Sequence, residues 1–168
     1  MRYAIIAVMI YLAVAVQTTF GNAIQIGRIS PQIPAMVAAA IVLLLGRNQS
    51  LVIAALIGLL EDALWPGRMG VATAWYLFLS WGLLETTERF DLQPLNRRIA
   101  ATGLFATLLA LGTGLTRYTF GEPTVDPTVI AASAVGVGLY TTALAIPFWL
   151  VLHGVESTLL HRNARYQV

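Results

Sequence analysis

Val129–Leu152 reads VIAASAVGVGLYTTALAIPFWLVL, a run without a single charged side chain. Crossing a hydrocarbon core of about 30 Å takes about 20 helical residues, so this run is long enough to span a bilayer by itself. Toward the N-terminus five further apolar segments precede it: Tyr3–Phe20, Pro31–Leu45, Leu51–Trp65, Val71–Leu84 and Ile99–Leu115. Most carry Arg, Gly or Pro close to their ends. Of the 168 residues 58% are hydrophobic and 11% charged, against about 45–50% and about 25% in an ordinary soluble domain. A water-soluble globule of this length has no interior large enough for that apolar surface. The pattern predicts an all-α, polytopic membrane protein: residues 1–168 as one domain of six transmembrane helices.

The segments 31–45, 51–65 and 71–84 fall short of a full span. They must extend into their flanks or cross a locally thinner bilayer. An alternative joins the first two as a re-entrant hairpin turning at Gly46, Arg47 and Asn48. Against it, Arg47 beside Asn48 and Gln49 prefers headgroups to a protein interior. Ser30 is placed to cap the second helix with Pro31 at its first position, where a missing N–H costs nothing. Pro66 and Gly67 close the third segment, Gly70 opens the fourth, and Pro147 should bend the sixth. The start, Met1 and Arg2 before an apolar run, resembles a signal peptide. No cleavage is expected, because the run continues into Gln17, Thr18, Thr19 and then further membrane segments.

Orientation follows from Arg. An interior N-terminus puts Arg2, Arg47, Arg89, Arg97, Arg98, Arg162 and Arg165 in the cytoplasm against Arg28, Arg68 and Arg117 outside. The excess predicts that both termini are cytoplasmic. Residues 85–98 then form a cytoplasmic loop and residues 153–168 a cytoplasmic tail, with Leu159 and Leu160 suited to the membrane surface or to a partner.

Several functions are disfavoured. The formal charge is only +2 and every basic residue is Arg, spread thinly, so no patch is fit to neutralise a nucleic-acid backbone. Cysteine is absent, which excludes disulfides, thiolate metal sites and Cys nucleophiles. No Walker loop, GxSxG, HExxH or CxxC occurs. His153 and His161 are too far apart for a metal site at i, i+4 spacing. Only Asp62 among the aspartates lies in an expected helix, where metal-dependent phosphatidyl transfer needs a cluster. The expectation is a chain that is not an enzyme and holds no metal or cofactor.

The pair Glu61–Asp62 is the most informative polar feature, since an ionised side chain at the bilayer centre costs about 2.5–3.5 kcal/mol on insertion scales. Two readings stand. Both acids lie within a turn of Trp65 and Pro66 and are able to reach headgroups, with Asp62 facing Arg68 across the turn. Alternatively Ala54, Gly58 and Asp62 recur every four residues as one stripe facing another helix. Asp62 would then accept hydrogen bonds from a helix start or the Met69–Gly70 turn. Further small-residue seams are Ala106, Ala110 and Gly114, then Ala132 with Gly136 and Ala134 with Gly138. Gln17, Thr18 and Thr19 are candidates for bonds across the bundle, although Thr also bonds its own backbone.

From Ile29 to Glu85 these features line up with a known pattern: Pro31 and Pro34 at the second helix, Gly46 and Arg47 at a short basic turn, Gly58 with Asp62 four residues on, and Gly70 opening the next helix. This resembles the central region of the rod shape-determining protein MreD family. Departures are Gln32, where an acid is frequent, and a C-terminal end whose basic residues are only Arg162 and Arg165. The resemblance implies a noncatalytic member of the cell-elongation (elongasome) machinery for peptidoglycan biosynthesis and cell shape, in a bacterial inner membrane. It would bind a single-span MreC-like protein and, through it, MreB and the RodA/penicillin-binding-protein synthase. Candidate packing or partner-interface residues are then Ala54, Gly58, Asp62, Arg68, Gly70, Pro31 and Pro34. The six-helix outline is also similar to substrate-binding S components of energy-coupling-factor vitamin transporters. Against that alternative, the first helix lacks their Ala-x-x-x-Ala docking motif, although Trp65, Tyr118 and Phe120 would suit a vitamin pocket.

Overall fold

The computed structural model describes residues 2–20, 25, 29–45, 47–64, 69–120 and 126–164, with side chains from Val8 through Gly154 apart from Phe20. Among these there are six helices and no strand: α1 (Arg2–Phe20), α2 (Ile33–Leu44), α3 (Arg47–Leu64), α4 (Val71–Arg89), α5 (Leu95–Thr119) and α6 (Pro127–Ala164). Two stretches are long and apolar enough to cross a membrane by length and composition, Leu95–Thr119 and Pro127–Gly154. Shorter apolar helices cover Val8–Thr19 and Ile33–Leu44.

α2 is the hub. Its residues from Pro34 to Val42 are all buried, and it touches each of the other five helices. Ala35, Ala38, Ala39 and Ala40 explain this, since side chains that stop at Cβ let neighbours approach a backbone from every direction. The helix has only 12 residues, about 18 Å at about 1.5 Å per residue. It begins at Ile33, with Gln32 as N-cap and no side-chain cap of its own, rather than at a Ser30 cap with Pro31 first. The reason is that its orphan donors are met from elsewhere. Thr141 Oγ1 in α6 accepts from Gln32 N at 3.1 Å, and Gln17 Oε1 in α1 accepts from Ile33 N at 3.1 Å. Gln17 therefore bonds across the bundle, while the Thr18 hydroxyl bonds back to the Val14 carbonyl of its own helix at 3.0 Å. Ahead of α2, non-helical backbone lies against α6, with the Ile29 side chain so close to Gly136 that a Cβ there would meet it at 2.5 Å.

α5 and α6 form one close pair, α3 and α4 the other. The α5–α6 seam is reciprocal: Gly103 lies under the Thr142 side chain and Gly138 under that of Thr107, and each Thr hydroxyl bonds its own helix, Thr142 to Gly138 O at 2.7 Å and Thr107 to Gly103 O at 2.8 Å. Gly114 receives Ile130, and Gly112 receives the Trp75 ring, whose Nε1 donates to Thr116 Oγ1 at 2.9 Å. Toward the other end Trp149, fully buried, donates to Thr102 Oγ1 at 3.1 Å, with the Arg98 guanidinium 5.2 Å from its ring centre.

The helices extend further than the apolar runs. α4 continues to Arg89 and α5 starts at Leu95, so within 85–98 only residues 90–94 are non-helical, and α6 continues to Ala164, so much of 153–168 is helical. Charged residues do not stop a helix whose propensity is sound. Glu85 and Arg89 pair along α4 at 3.0 Å, and both Glu85 and Glu88 reach Arg47 at the start of α3, at 3.9 Å and 3.2 Å.

Candidate functional site

The polar chemistry gathers at one end of the bundle, where α1, α3 and α5 finish and α2 and α4 begin. α4 opens with Gly70 at φ +96°, a left-handed conformation that suits a residue without a Cβ. Its first N–H groups have no side-chain cap from their own helix. They are capped by Asp62 instead. Oδ2 accepts from Gly70 N at 3.0 Å, Thr73 N at 3.0 Å and the Thr73 hydroxyl at 2.7 Å, and Oδ1 accepts from Ala72 N at 2.9 Å. With about two lone-pair sites on each carboxylate oxygen, Oδ2 is fully used by its three donors and Oδ1 holds one. Negative charge at a helix N-terminus also meets the positive end of its dipole.

One and two turns back on α3, Gly58 and Ala54 are buried in the same stripe. A Cβ on Gly58 would stand 2.5 Å from Thr73 Cα and 2.9 Å from Thr73 N, both backbone atoms that cannot swing aside. Gly58 lets the helices close, and that closeness brings Asp62 to the N-terminal turn of α4. Pro31 and Pro34 are buried at the entry of α2. Arg68 lies outside the described residues, so its pairing with Asp62 has no geometry here.

Glu61, next in sequence, does something different. Between the helix ends is a cavity of about 200 Å³ lined by Gln17, Gln32, Glu61, Asp62 and Arg117 among others. Oε2 of Glu61 and Oε1 of Gln32 are sealed from solvent and have no hydrogen-bond partner. The hydroxyl of Tyr76, wholly buried on α4, lies beside Glu61 without meeting hydrogen-bond geometry. Arg117, on the last turn of α5, is exposed at the same cavity.

The sequence reading treated Glu61 and Asp62 as one pair, yet the structure divides them between a cap and a cavity. Gln32 and Arg117, which the sequence marks only as a departure from the resembled pattern and as an outer-side basic residue, join Glu61 at this cavity. Their only signal of that is position: each sits in the turn nearest the same bundle end as Glu61. Among the described residues no group of three acidic or histidine side chains is placed to hold a metal ion. Compared with family models, with curated proteins and with solved structures, the chain finds no match in any of the three.

Proposed function

We propose that the chain is a six-span bundle of the bacterial inner membrane with both termini cytoplasmic, serving as a noncatalytic scaffold of the cell-elongation machinery that builds peptidoglycan. In this reading it docks a single-span MreC-like partner, and through that partner MreB and the RodA/penicillin-binding-protein synthase. The observation that carries it is Asp62, both of whose oxygens cap the start of α4. Every oxygen of the one acid in the Ala54–Gly58–Asp62 stripe is committed to fixing α4 on α3, which is what a frame needs and what a transport or catalytic carboxylate avoids. The outward faces supply docking surface: Val52, Leu56, Leu59 and Leu60 on α3 and Val135, Leu139, Ile146 and Leu150 on α6 are exposed. Lipid covers what a partner helix does not.

The second reading, a vitamin-binding S component, draws on the cavity. That cavity of about 200 Å³ falls below the roughly 300–1,000 Å³ of pockets for drug-sized ligands, and the scaffold is favoured. Copurification from a bacterial membrane decides between them. The scaffold reading expects a single-span periplasmic protein to come down with the tagged chain, and to be lost with Gly58→Leu. Retention of a vitamin by the chain alone, with no such partner, would contradict it.

A further inference from the structure

The cavity beside Glu61 has a donor-acceptor balance that the cap does not explain. Glu61 and Gln32 both line it, and each carries a buried acceptor without a hydrogen-bond partner, Glu61 Oε2 and Gln32 Oε1. Leaving such groups dry and unpaired is costly, and more so for a carboxylate. Tyr76 is able to supply one donor, against about four lone-pair sites on a carboxylate. A divalent cation would find one unpartnered carboxylate oxygen, Glu61 Oε2, because both oxygens of Asp62 already accept from the start of α4. A primary ammonium suits the site better: it brings three N–H donors and one positive charge.

The rest of the lining defines the other end of the ligand. Exposed Arg117 presents a guanidinium, the geometry that matches a phosphate or carboxylate. Leu64, Val71 and Phe120 give the same cavity an apolar side. Leu64, Phe120 and Thr18 are themselves exposed, so it is reachable from outside the bundle. Cation-seeking acceptors, an anion-seeking guanidinium and an apolar flank, at the end of the helices, describe an amphipathic zwitterion.

We propose that this cavity binds an ethanolamine-phosphate group, with the ammonium held by the Glu61 carboxylate and the Gln32 carboxamide oxygen and the phosphate facing Arg117. Two sources share that chemistry, the headgroup of phosphatidylethanolamine and the free zwitterion. The lipid source rests on the membrane placement proposed above, and neither rests on the partner protein.

The test uses the full chain purified in nonionic detergent, titrated separately with short-chain phosphatidylethanolamine, with phosphatidylcholine of the same chains, and with soluble ethanolamine phosphate, with binding read by native mass spectrometry and thermal shift. Methylation of the amine removes every N–H donor, so the ethanolamine lipid should bind about tenfold more tightly than the choline lipid, the loss expected when hydrogen bonds to a charged group are removed. Glu61→Gln should abolish that preference, and Arg117→Gln should weaken both lipids alike. Gln32→Met keeps the backbone N–H on Thr141 and should halve the preference or more, which decides the matter if Glu61→Gln does not fold. Binding of the soluble compound without the lipid would assign the free zwitterion as the source. Equal binding of the two lipids together with no response to ethanolamine phosphate, or a preference unchanged in both Glu61→Gln and Gln32→Met, would overturn the proposal.

Discussion

Asp62 and Thr73 meet twice: the same carboxylate oxygen, Oδ2, accepts from the Thr73 backbone N–H at 3.0 Å and from its hydroxyl at 2.7 Å. A residue in the last turn of one helix thereby supplies the cap that the next helix lacks. Because Thr73 is also the residue against which Gly58 packs, one short stretch of α4 carries both the polar and the steric halves of the junction.

Removing the carboxylate tests the polar half. Asp62→Ala strands three backbone donors at the start of α4. At about 0.5–2 kcal/mol for a lost cap and about 1.5–3 for a hydrogen bond to a charged group, unfolding in mixed micelles should show a loss of about 2 kcal/mol or more. Asp62→Asn keeps one acceptor oxygen but points an NH₂ at the other donors, and should fall between the variant and the wild type.

The steric half predicts a contrast between two glycines. Gly58→Ala drives a Cβ into Thr73 backbone, whereas Gly82, also helical, has nothing within 4 Å of where its Cβ would stand. Gly58→Ala should cost about 1–3 kcal/mol as an overpacked contact. Gly82→Ala should be neutral or stabilise by up to about 1 kcal/mol through helix propensity. Equal effects at the two sites in a denaturation series would show that the α3–α4 approach is not as close as described.

Much of this was legible beforehand, and the reason is local. Helix cores betray themselves through uncharged runs, and the contact of Asp62 with the Gly70 turn follows from an acid placed four residues after a small one and a few residues before a glycine. What was not legible depends on partners distant in sequence. The start of α2 slips to Ile33 because Gln17 and Thr141 satisfy its donors, and nothing near Ser30 announces either. The alanines of α2 make it the hub, but Ala is common throughout the chain and its clustering at 35–40 stands out only once five neighbours surround it. The expected seam on α5 took Ala106, Ala110 and Gly114, whereas Gly103 makes the tightest fit with Thr142, because a seam needs a filler on the facing helix as well as a gap.

Thr102 links α5 to α6 at the opposite end. Its hydroxyl accepts from Trp149 Nε1 and donates to the Arg98 carbonyl at 2.8 Å. Thr102→Val keeps the shape and removes the acceptor. Interhelical hydrogen bonds in membranes average about 0.6 kcal/mol and reach about 1.7, so a double-mutant cycle with Trp149→Phe should return a coupling in that range.

His153 is exposed on α6 and belongs to neither junction. His153→Ala should leave unfolding within about 0.5 kcal/mol of wild type, and complex formation unchanged, which an affinity pull-down of the tagged variant checks.

The absence of cysteine makes the central claim, a chain threaded six times through lipid, directly measurable. Single cysteines at Asn48, Met69, Gln93 and Asp126, all exposed between or at the ends of helices, are labelled in intact cells with a membrane-impermeant maleimide. Met69→Cys and Asp126→Cys should react from outside, and Asn48→Cys and Gln93→Cys only after the membrane is permeabilised. Labelling of Asn48 and Met69 from the same side would make α3 re-entrant and contradict the six-span account.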